Sequence, residues 1–170
     1  WFNLENTFNS TNNSPVPLLV ARPNEINDVS LFLMQNSGKI RFQIYDENSG
    51  YQEVFTNTDN WDSNNWYHIA ATYENQTMKI YINGVLENTT TTPSVLNFSV
   101  EDFCAGNDPT NLNIWNFSGL MDEIRVWNKA LSNSEIEEYI NCVPIGDEEG
   151  LVGYWNFEEG PDEGQVLDLS

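Results

Sequence analysis

The strongest constraint on this chain is an alternation of apolar and polar residues with the period of a β-strand. Lys39–Tyr45 places three apolar residues on one face, and Met78–Ile82 alternates in the same way before Asn83 and Gly84. Side chains alternate between the faces of a strand, and Asn-Gly favours a tight hairpin because both central residues adopt positive φ. Several such segments separated by turn-rich clusters predict an all-β fold, an antiparallel sandwich or barrel.

One short helix interrupts this pattern. Ser132 and Glu135 have the spacing of a capping box, in which each side chain accepts a hydrogen bond from an N-terminal backbone N–H. Ile136 and Tyr139 continue an apolar stripe at helical spacing. The sequence therefore predicts a capped helix near residues 132–140, closing one open end of the sandwich.

The charge balance excludes several functions. The chain has 6 Lys and Arg against 26 Asp and Glu, and the net charge is −20. So few cations cannot neutralise the phosphates of a nucleic acid or an anionic membrane surface, and no apolar run reaches the length of a membrane helix. The hydrophobic fraction of 39% still suffices for a core. We expect an extracellular or cell-surface protein whose acidic surface is screened by salt or calcium.

The two cysteines leave two alternatives open. Cys104 and Cys142 are too few for a disulfide scaffold and lack the spacing of a metal site. A Cys104–Cys142 disulfide is the prediction for an oxidising compartment, and a pair of buried free thiols is the alternative.

Two segments resemble a known family. Trp66–Tyr73 followed by Lys79–Gly84 is similar to the central signature of laminin-G-like jelly rolls, which belong to the concanavalin A-like lectin/glucanase superfamily. Phe117–Ser132 resembles the second signature, a G-x-x-D-E-[VI]-R strand that leads to a capped helix. The resemblance covers roughly Trp1–Asn141 and implies a two-sheet antiparallel jelly-roll sandwich.

The resemblance also implies an unusual domain organisation. Residues 1–145 would form the jelly-roll domain with its first strands missing, and residues 146–170 would begin with an acidic linker. Gly150–Gly160 resembles the start of such a module. The tail is therefore either the first strands of a following module or a set of strands that completes the same sandwich. The second alternative requires Leu151–Phe157 to pair with a strand of residues 1–140.

Catalysis is not predicted, although the superfamily includes glucanases. A retaining glycosidase needs two carboxyl groups about 5 Å apart, whereas Asp122 and Glu123 are adjacent in a strand and would point to opposite faces. The sole histidine, His68, lies in an apolar strand, so we expect a structural role for it.

A calcium site is the better expectation for the acidic residues. The resemblance implies that Asp122 is a ligand, and Glu123 either adds an oxygen or pairs with Arg125. Asn107 and Asp108 supply further oxygens from a turn, and calcium takes six to eight oxygen ligands.

Tryptophans in polar loops are the candidates for a glycan site. Trp61 and Trp115 are each flanked by Asn or Asp residues, where an exposed indole could stack on a sugar ring. The alternative is that both fold over the edge of the sandwich as packing residues. Trp66, Trp127 and Trp155 lie in strand patterns and are expected in the core.

These observations predict a non-catalytic binding or adhesion module, stabilised by calcium and directed at a glycan or a cell-surface protein. Neighbouring modules of the same chain are further expected partners, whereas nucleic acid and direct membrane insertion are not. A structural or protein-interaction spacer in a surface adhesin or filament is the alternative, and a glycoside hydrolase-related domain is a remote one.

Overall fold

A computed structural model of the chain describes residues 1–6, 15–21, 28–34, 36–96, 103–108, 116–158 and 167–170. The described elements are β1 (Phe2–Leu4), β2 (Pro15–Ala21), β3 (Val29–Met34), β4 (Ile40–Asp46), β5 (Gly50–Phe55), β6 (Trp66–Tyr67), β7 (Ile69–Glu74), β8 (Thr77–Ile82), β9 (Val85–Thr91), β10 (Phe103–Ala105), β11 (Gly119–Met121), β12 (Ile124–Trp127), α1 (Asn133–Asn141) and β13 (Leu151–Trp155). The fold is an all-β antiparallel jelly-roll sandwich with one short helix, as the sequence predicts.

One layer is a continuous five-stranded sheet in the order β10-β2-β3-β4-β5. Phe42 lies between Leu31 of β3 and Val54 of β5 in the register of the sheet. These residues, together with Ile40 and Ile44, are buried in the core. The alternation in Lys39–Tyr45 therefore marks the inner face of this sheet.

The second layer consists of three pieces, with strand orders β11-β1-β6, β7-β8-β9 and β12-β13. Residues of the first two pieces, among them Phe2 and Met78, belong to the same core. The chain passes from β6 to β7 across His68, and from β11 to β12 across Asp122 and Glu123. Glu123 has a φ of 54°, a backbone conformation that residues other than glycine rarely adopt. Each break interrupts what would otherwise be one longer strand.

The Asn83-Gly84 dipeptide forms the β8–β9 hairpin turn, with φ values of 51° and 81°. The register of the two strands starts at Ile82 opposite Val85, directly beside the turn. This confirms the hairpin predicted from the dipeptide, since both residues adopt the positive φ that the turn requires.

The predicted capping box is also confirmed. The hydroxyl of Ser132 accepts a hydrogen bond from the Glu135 backbone N–H at 3.3 Å, and the Glu135 carboxylate accepts one from the Ser132 N–H at 2.7 Å. Ile136 is buried, and a Cβ added at Gly84 would lie 3.1 Å from Cδ1 of Ile140. The helix therefore lies against the β8–β9 turn.

The tail contributes a strand to the second layer. In β13, Trp155, Tyr154 and Gly153 lie opposite Ile124, Arg125 and Val126 of β12. This is the pairing that completion of the same sandwich requires. The assignment of residues 146–170 to this module or to a following one stays a prediction.

The predicted disulfide is not formed, and this expectation is corrected. Cys104 lies in β10 opposite Val20 of β2, whereas Cys142 follows the helix and donates its backbone N–H to the Glu138 carbonyl at 2.8 Å. Both are free thiols, held on elements that are not paired with each other. Cys142 is exposed and Cys104 partly so, and the alternative of two buried thiols therefore does not describe them either.

Within the described ranges, no helix is long and apolar enough to span a membrane.

Candidate functional site

Trp61 is a core residue, whereas the sequence made it a candidate for an exposed aromatic ring that binds a glycan. Its indole is fully buried and donates its Nε1–H to the Gly38 carbonyl at 2.6 Å. Its ring packs at 5.6 Å from Phe2 and 5.1 Å from Tyr67, measured between ring centroids. The loop folds back over the sandwich, which its polar composition does not reveal. Trp115 lies outside the described residues.

Trp66 shows the opposite outcome, because it is 43% exposed although its strand pattern predicts a core position. Strand β1 runs between β6 and β11, and Asn3 lies opposite both Trp66 and Leu120. The next residues in the register, Phe2 and its partners, face the core. Since side chains alternate, Trp66, Asn3 and Leu120 share the outer face.

Polar groups flank this row of residues. The Ser118 hydroxyl donates to the Glu5 carboxylate at 2.5 Å, and the Glu5 backbone N–H donates to the Ser118 carbonyl at 3.2 Å. Glu5 follows Asn3 by two residues and is exposed. We call Trp66, Asn3, Leu120 and Glu5 the outer row. It consists of an exposed indole and an exposed apolar side chain on either side of Asn3, which is itself only 9% exposed, with an exposed carboxylate beside them.

The other two strand tryptophans are half-buried and pack against neighbouring aromatic rings. Trp127 lies 4.9 Å from Tyr139, and Trp155 lies 4.9 Å from Phe103. Neither is an exposed plate, so the outer row is the aromatic surface that the sequence pattern did not reveal. The exposure of Trp66 follows from which face of a three-stranded sheet it occupies, and that depends on the register with β1.

Glu123 is held by an arginine and a tyrosine. Its carboxylate pairs with Arg125, whose side chain is 8% exposed and also donates to the Tyr139 carbonyl at 2.5 Å. The Tyr154 hydroxyl donates to both Glu123 oxygens, at 3.1 and 3.0 Å. Burial, together with this bond to Glu123, raises the pKa of Tyr154 to about 12. Of the two roles expected for Glu123, a calcium ligand or a partner of Arg125, the structure shows the pairing with Arg125.

The residues considered for calcium do not fit a calcium site in this arrangement. Both Glu123 oxygens are engaged, and the Arg125 guanidinium beside them repels a cation. Asp122 Oδ1 accepts the Glu123 backbone N–H at 2.8 Å, and Asn107 Oδ1 accepts the N–H of the fully buried Asp108 at 2.7 Å. In the part of the chain that the structure describes, no cluster of three or more Asp, Glu, His or Cys residues could hold a metal. Calcium binding by other oxygens stays a prediction.

His68 is a largely buried, neutral imidazole. Burial, reinforced by the positive charges near it, including Arg125, lowers the pKa of His68 to about 3. Its ring packs edge-on against Trp1 at 5.1 Å, and its Nδ1 has no hydrogen-bond partner among the described residues. These contacts fit the structural role expected from the sequence.

A cavity of about 530 Å³ lies next to His68 and Arg125. Its lining is mostly apolar and comes from both layers, with Leu18, Leu31 and Phe42 from the continuous sheet. It is separate from the outer row, which lies on the opposite face of β1 and its neighbours.

Solved structures with this fold include carbohydrate-binding proteins. A candidate carbohydrate-binding protein from Bacteroides ovatus aligns with a TM-score of 0.73 and 19% identity over 98% of this chain and 47% of its own. The CBM40 of the Ruminococcus gnavus IT-sialidase, bound to α2,3-sialyllactose, aligns with a TM-score of 0.57 and 17% identity over 80% of this chain and 83% of its own. Domains LG4-5 of the mouse laminin α1 chain align with a TM-score of 0.52 and 17% identity over 75% of this chain and 35% of their own.

At these identities the likeness shows the fold alone, and the chain spans about half the length of the Bacteroides ovatus protein. No curated protein matches the chain. The family model for laminin G 3 matches residues 1–137, the greater part of the chain. The chain therefore belongs to the laminin G 3 family of the concanavalin A-like lectin/glucanases superfamily.

Proposed function

We propose that this protein is a non-catalytic glycan-binding module, acting outside the cell or at its surface, and that the outer row contacts the glycan. The observation that carries the proposal is the indole of Trp66, which is 43% exposed on a paired strand instead of buried in the core. An exposed indole offers a flat apolar face with a polar N–H at its edge.

The geometry of the outer row suits a sugar ring. The apolar C–H face of a hexose can lie on Trp66 or Leu120, while its hydroxyl groups reach the exposed Glu5 carboxylate. Strand β1 is hydrogen-bonded on both sides, to β6 and to β11. Side chains on such a strand are held more precisely than side chains on a loop, so little ordering is needed on binding.

The charge of the chain narrows the ligand class. With a net charge of −20 and Glu5 within the outer row, an anionic glycan would be repelled. We therefore expect neutral glycans to bind better than sialylated or sulfated ones. The likeness to the sialyllactose-bound CBM40 supports glycan binding as a class and does not carry over its ligand.

Two observations support the non-catalytic part of the proposal. The Glu123 carboxylate is neutralised by Arg125 and bonded by Tyr154, so it is not free to act on a glycosidic bond. His68 has a pKa of about 3, lowered by burial, which makes it a poor general base at neutral pH.

The test is a glycan array followed by titration of the best neutral ligand. Trp66→Ala should weaken binding at least about tenfold, which corresponds to the loss of about 1.4 kcal/mol of stacking. Tyr51→Ala is the matched control, because Tyr51 is an even more exposed aromatic residue on the continuous sheet. It should leave the affinity unchanged.

Equal affinity of the wild-type protein and Trp66→Ala would refute the outer row as the site. A Trp115→Ala variant would then test Trp115, the other tryptophan that the sequence predicts for glycan binding. If the protein binds no glycan of the array, the spacer or protein-interaction alternative is favoured. Hydrolysis of an array glycan would overturn the non-catalytic proposal.

A further inference from the structure

The carboxylate of Glu5 keeps an uncompensated negative charge at the surface of the outer row. The Ser118 hydroxyl donates to one of its oxygens at 2.5 Å, and a hydroxyl carries no charge. Among the residues that the structure describes, no Lys or Arg forms an ion pair with Glu5, and three of the described cations pair with other glutamates. An ionised carboxylate accepts up to about four hydrogen bonds, so Glu5 has acceptor capacity left for a ligand.

The Glu5 carboxylate is held close to the exposed indole. The Glu5 N–H donates to the Ser118 carbonyl at 3.2 Å, so Ser118 fixes both the main chain and the side chain of Glu5. Glu5 follows Asn3 by two residues, and Asn3 is the register partner of Trp66. Diagonal neighbours in an antiparallel pair lie about 7–8 Å apart. A substituent of a sugar ring that stacks on Trp66 is therefore within reach of the Glu5 carboxylate.

The segments on both sides of Glu5 bring further negative charge and no positive charge. The Asn64 N–H donates to the Leu4 carbonyl at 3.1 Å, so residues 62–65 lie beside this end of β1. They include the exposed Asp62 and no Lys or Arg. Residues 118–121, on the other side, contain no charged side chain. With a net charge of −20 for the whole chain, the electrostatic potential at the outer row is negative.

An exposed indole beside a carboxylate with free acceptor capacity suits a cationic ligand. The face of an aromatic ring attracts a cation placed over it, and tryptophan does so more strongly than phenylalanine or tyrosine. A hydrogen bond from an ammonium group to a carboxylate is about twice as strong as one between neutral groups. A neutral hexose would use the flat face of Trp66 and would leave the charge of Glu5 without a partner.

We propose that the outer row binds a glycan with free amino groups, an amino sugar whose ring lies on Trp66 and whose protonated amine donates to the Glu5 carboxylate. This inference rests on the proposed function, because it assigns a ligand class to the same surface. It orders glycans by charge: those with free amines bind best, neutral ones follow, and anionic ones bind least. N-acetylation removes the charge of the amine, so N-acetylated sugars belong with the neutral glycans.

The experiment is calorimetric titration with three oligosaccharides of equal length that differ only at carbon 2 of each sugar. They are deacetylated chitin with an amine, chitin with an acetamide, and cellulose with a hydroxyl. At about pH 6, below the pKa of an amine, the deacetylated form should bind about fivefold more tightly than the cellulose form, or better, as expected for one ion pair and one cation–π contact at a surface. At about pH 9, where the amine is mostly neutral, this preference should disappear while the affinity for the cellulose form stays the same.

Two charge-removing variants locate the preference. Glu5→Gln keeps the shape of the side chain and should lose the preference for the amine without losing affinity for the cellulose form. Glu47→Gln is the matched control, because it removes the same charge from an exposed position between β4 and β5. It should keep the full preference. Trp66→Ala should weaken the binding of all three oligosaccharides.

Three results would overturn this inference. The first is a preference for the amine that persists in Glu5→Gln, which would reflect a general attraction of cations to the acidic chain. The second is binding of the N-acetylated form that is as tight as binding of the deacetylated form. The third is equally effective competition by a lysine peptide of the same charge, which would identify a protein ligand in place of a glycan.

Failure of this inference and failure of the proposed function give different results. If the cellulose form binds through Trp66 and the amine adds no affinity, the proposed function stands and the preference for amino sugars is wrong. If none of the three oligosaccharides binds, or if Trp66→Ala binds them as wild type does, the outer row is not a site for these glycans and both proposals fail for them.

Discussion

The two layers of the sandwich differ in how completely they satisfy their own backbone. In the continuous layer, β2, β3 and β4 each have a hydrogen-bonded strand on both sides. The second layer is broken at His68 and at Asp122 and Glu123, and its pieces line a cavity together with the continuous sheet. The apolar core is shared by both layers. The outer row and the buried Glu123–Arg125 pair both lie in the interrupted layer.

Two ion pairs reflect this difference. Arg41 and Glu53 pair at 2.9 Å across β4 and β5, with side chains 20% and 32% exposed. Arg125 and Glu123 form the corresponding pair at the β11–β12 break, with side chains 8% and 16% exposed. The chemistry is the same, but the second pair has lost most of its water, and an unpaired charge would be costly there.

The largest effect is therefore expected from Glu123→Gln. It leaves the Arg125 guanidinium buried without a counter-charge, and we expect the free energy of unfolding to fall by about 3 kcal/mol. The matched change Glu53→Gln should cost about 1 kcal/mol or less, since that pair is partly solvated. Urea unfolding of the two variants measures both values. Equal losses would show that the two layers hold their ion pairs alike.

The next effect concerns His68 and pH. Burial holds its folded pKa at about 3, below the ordinary value of 6.5. The unfolded chain binds a proton below pH 6.5 that the folded chain does not, so the contribution of the neutral imidazole is complete above pH 6.5. It is lost progressively as pH falls toward 3, by at most about 1.4 kcal/mol per pH unit, which amounts to about 2 kcal/mol between pH 6.5 and pH 5.

Urea unfolding of wild type and His68→Gln at several pH values isolates this contribution, because the carboxylates common to both proteins cancel. The wild-type stability should fall more steeply with decreasing pH. Parallel curves would show that the imidazole at the β6–β7 break is hydrated.

The smallest effect is expected from calcium. A site filled at a hundred times its Kd would add about 2.7 kcal/mol to the stability. Because the oxygens of Glu123 are engaged by Arg125 and Tyr154, we expect the thermal midpoint in excess calcium to match that in excess chelator. A clear rise of the thermal midpoint in calcium would support the calcium-stabilised module predicted from the sequence, with oxygen ligands other than those of Glu123.

Local patterns predicted the local structure well. The alternation in Lys39–Tyr45, the Asn83-Gly84 turn and the capping box at Ser132 each depend on interactions between near neighbours in sequence, and each is present. These elements could be predicted because the physical cause and the pattern lie within the same few residues.

The site could not be predicted in the same way. Trp61 and Trp66 are five residues apart, and the one in the polar loop is buried while the one in the strand is exposed. Their positions depend on the path of the loop over Gly38 and on the register of β6 with β1, which are tertiary properties. The role of Glu123 likewise depends on Tyr154, a partner 31 positions away along the chain.

The outer row has a consequence for how the protein folds. Its central strand, β1, pairs with β6 and also with β11, and Phe2 lies opposite Met121 near the other end of the matched region. Closing so long a loop carries an entropic cost that hairpins such as β7–β8 avoid. The outer row therefore depends on a contact between segments far apart in the sequence, and a molecule in which β1 and β11 have not paired cannot present it.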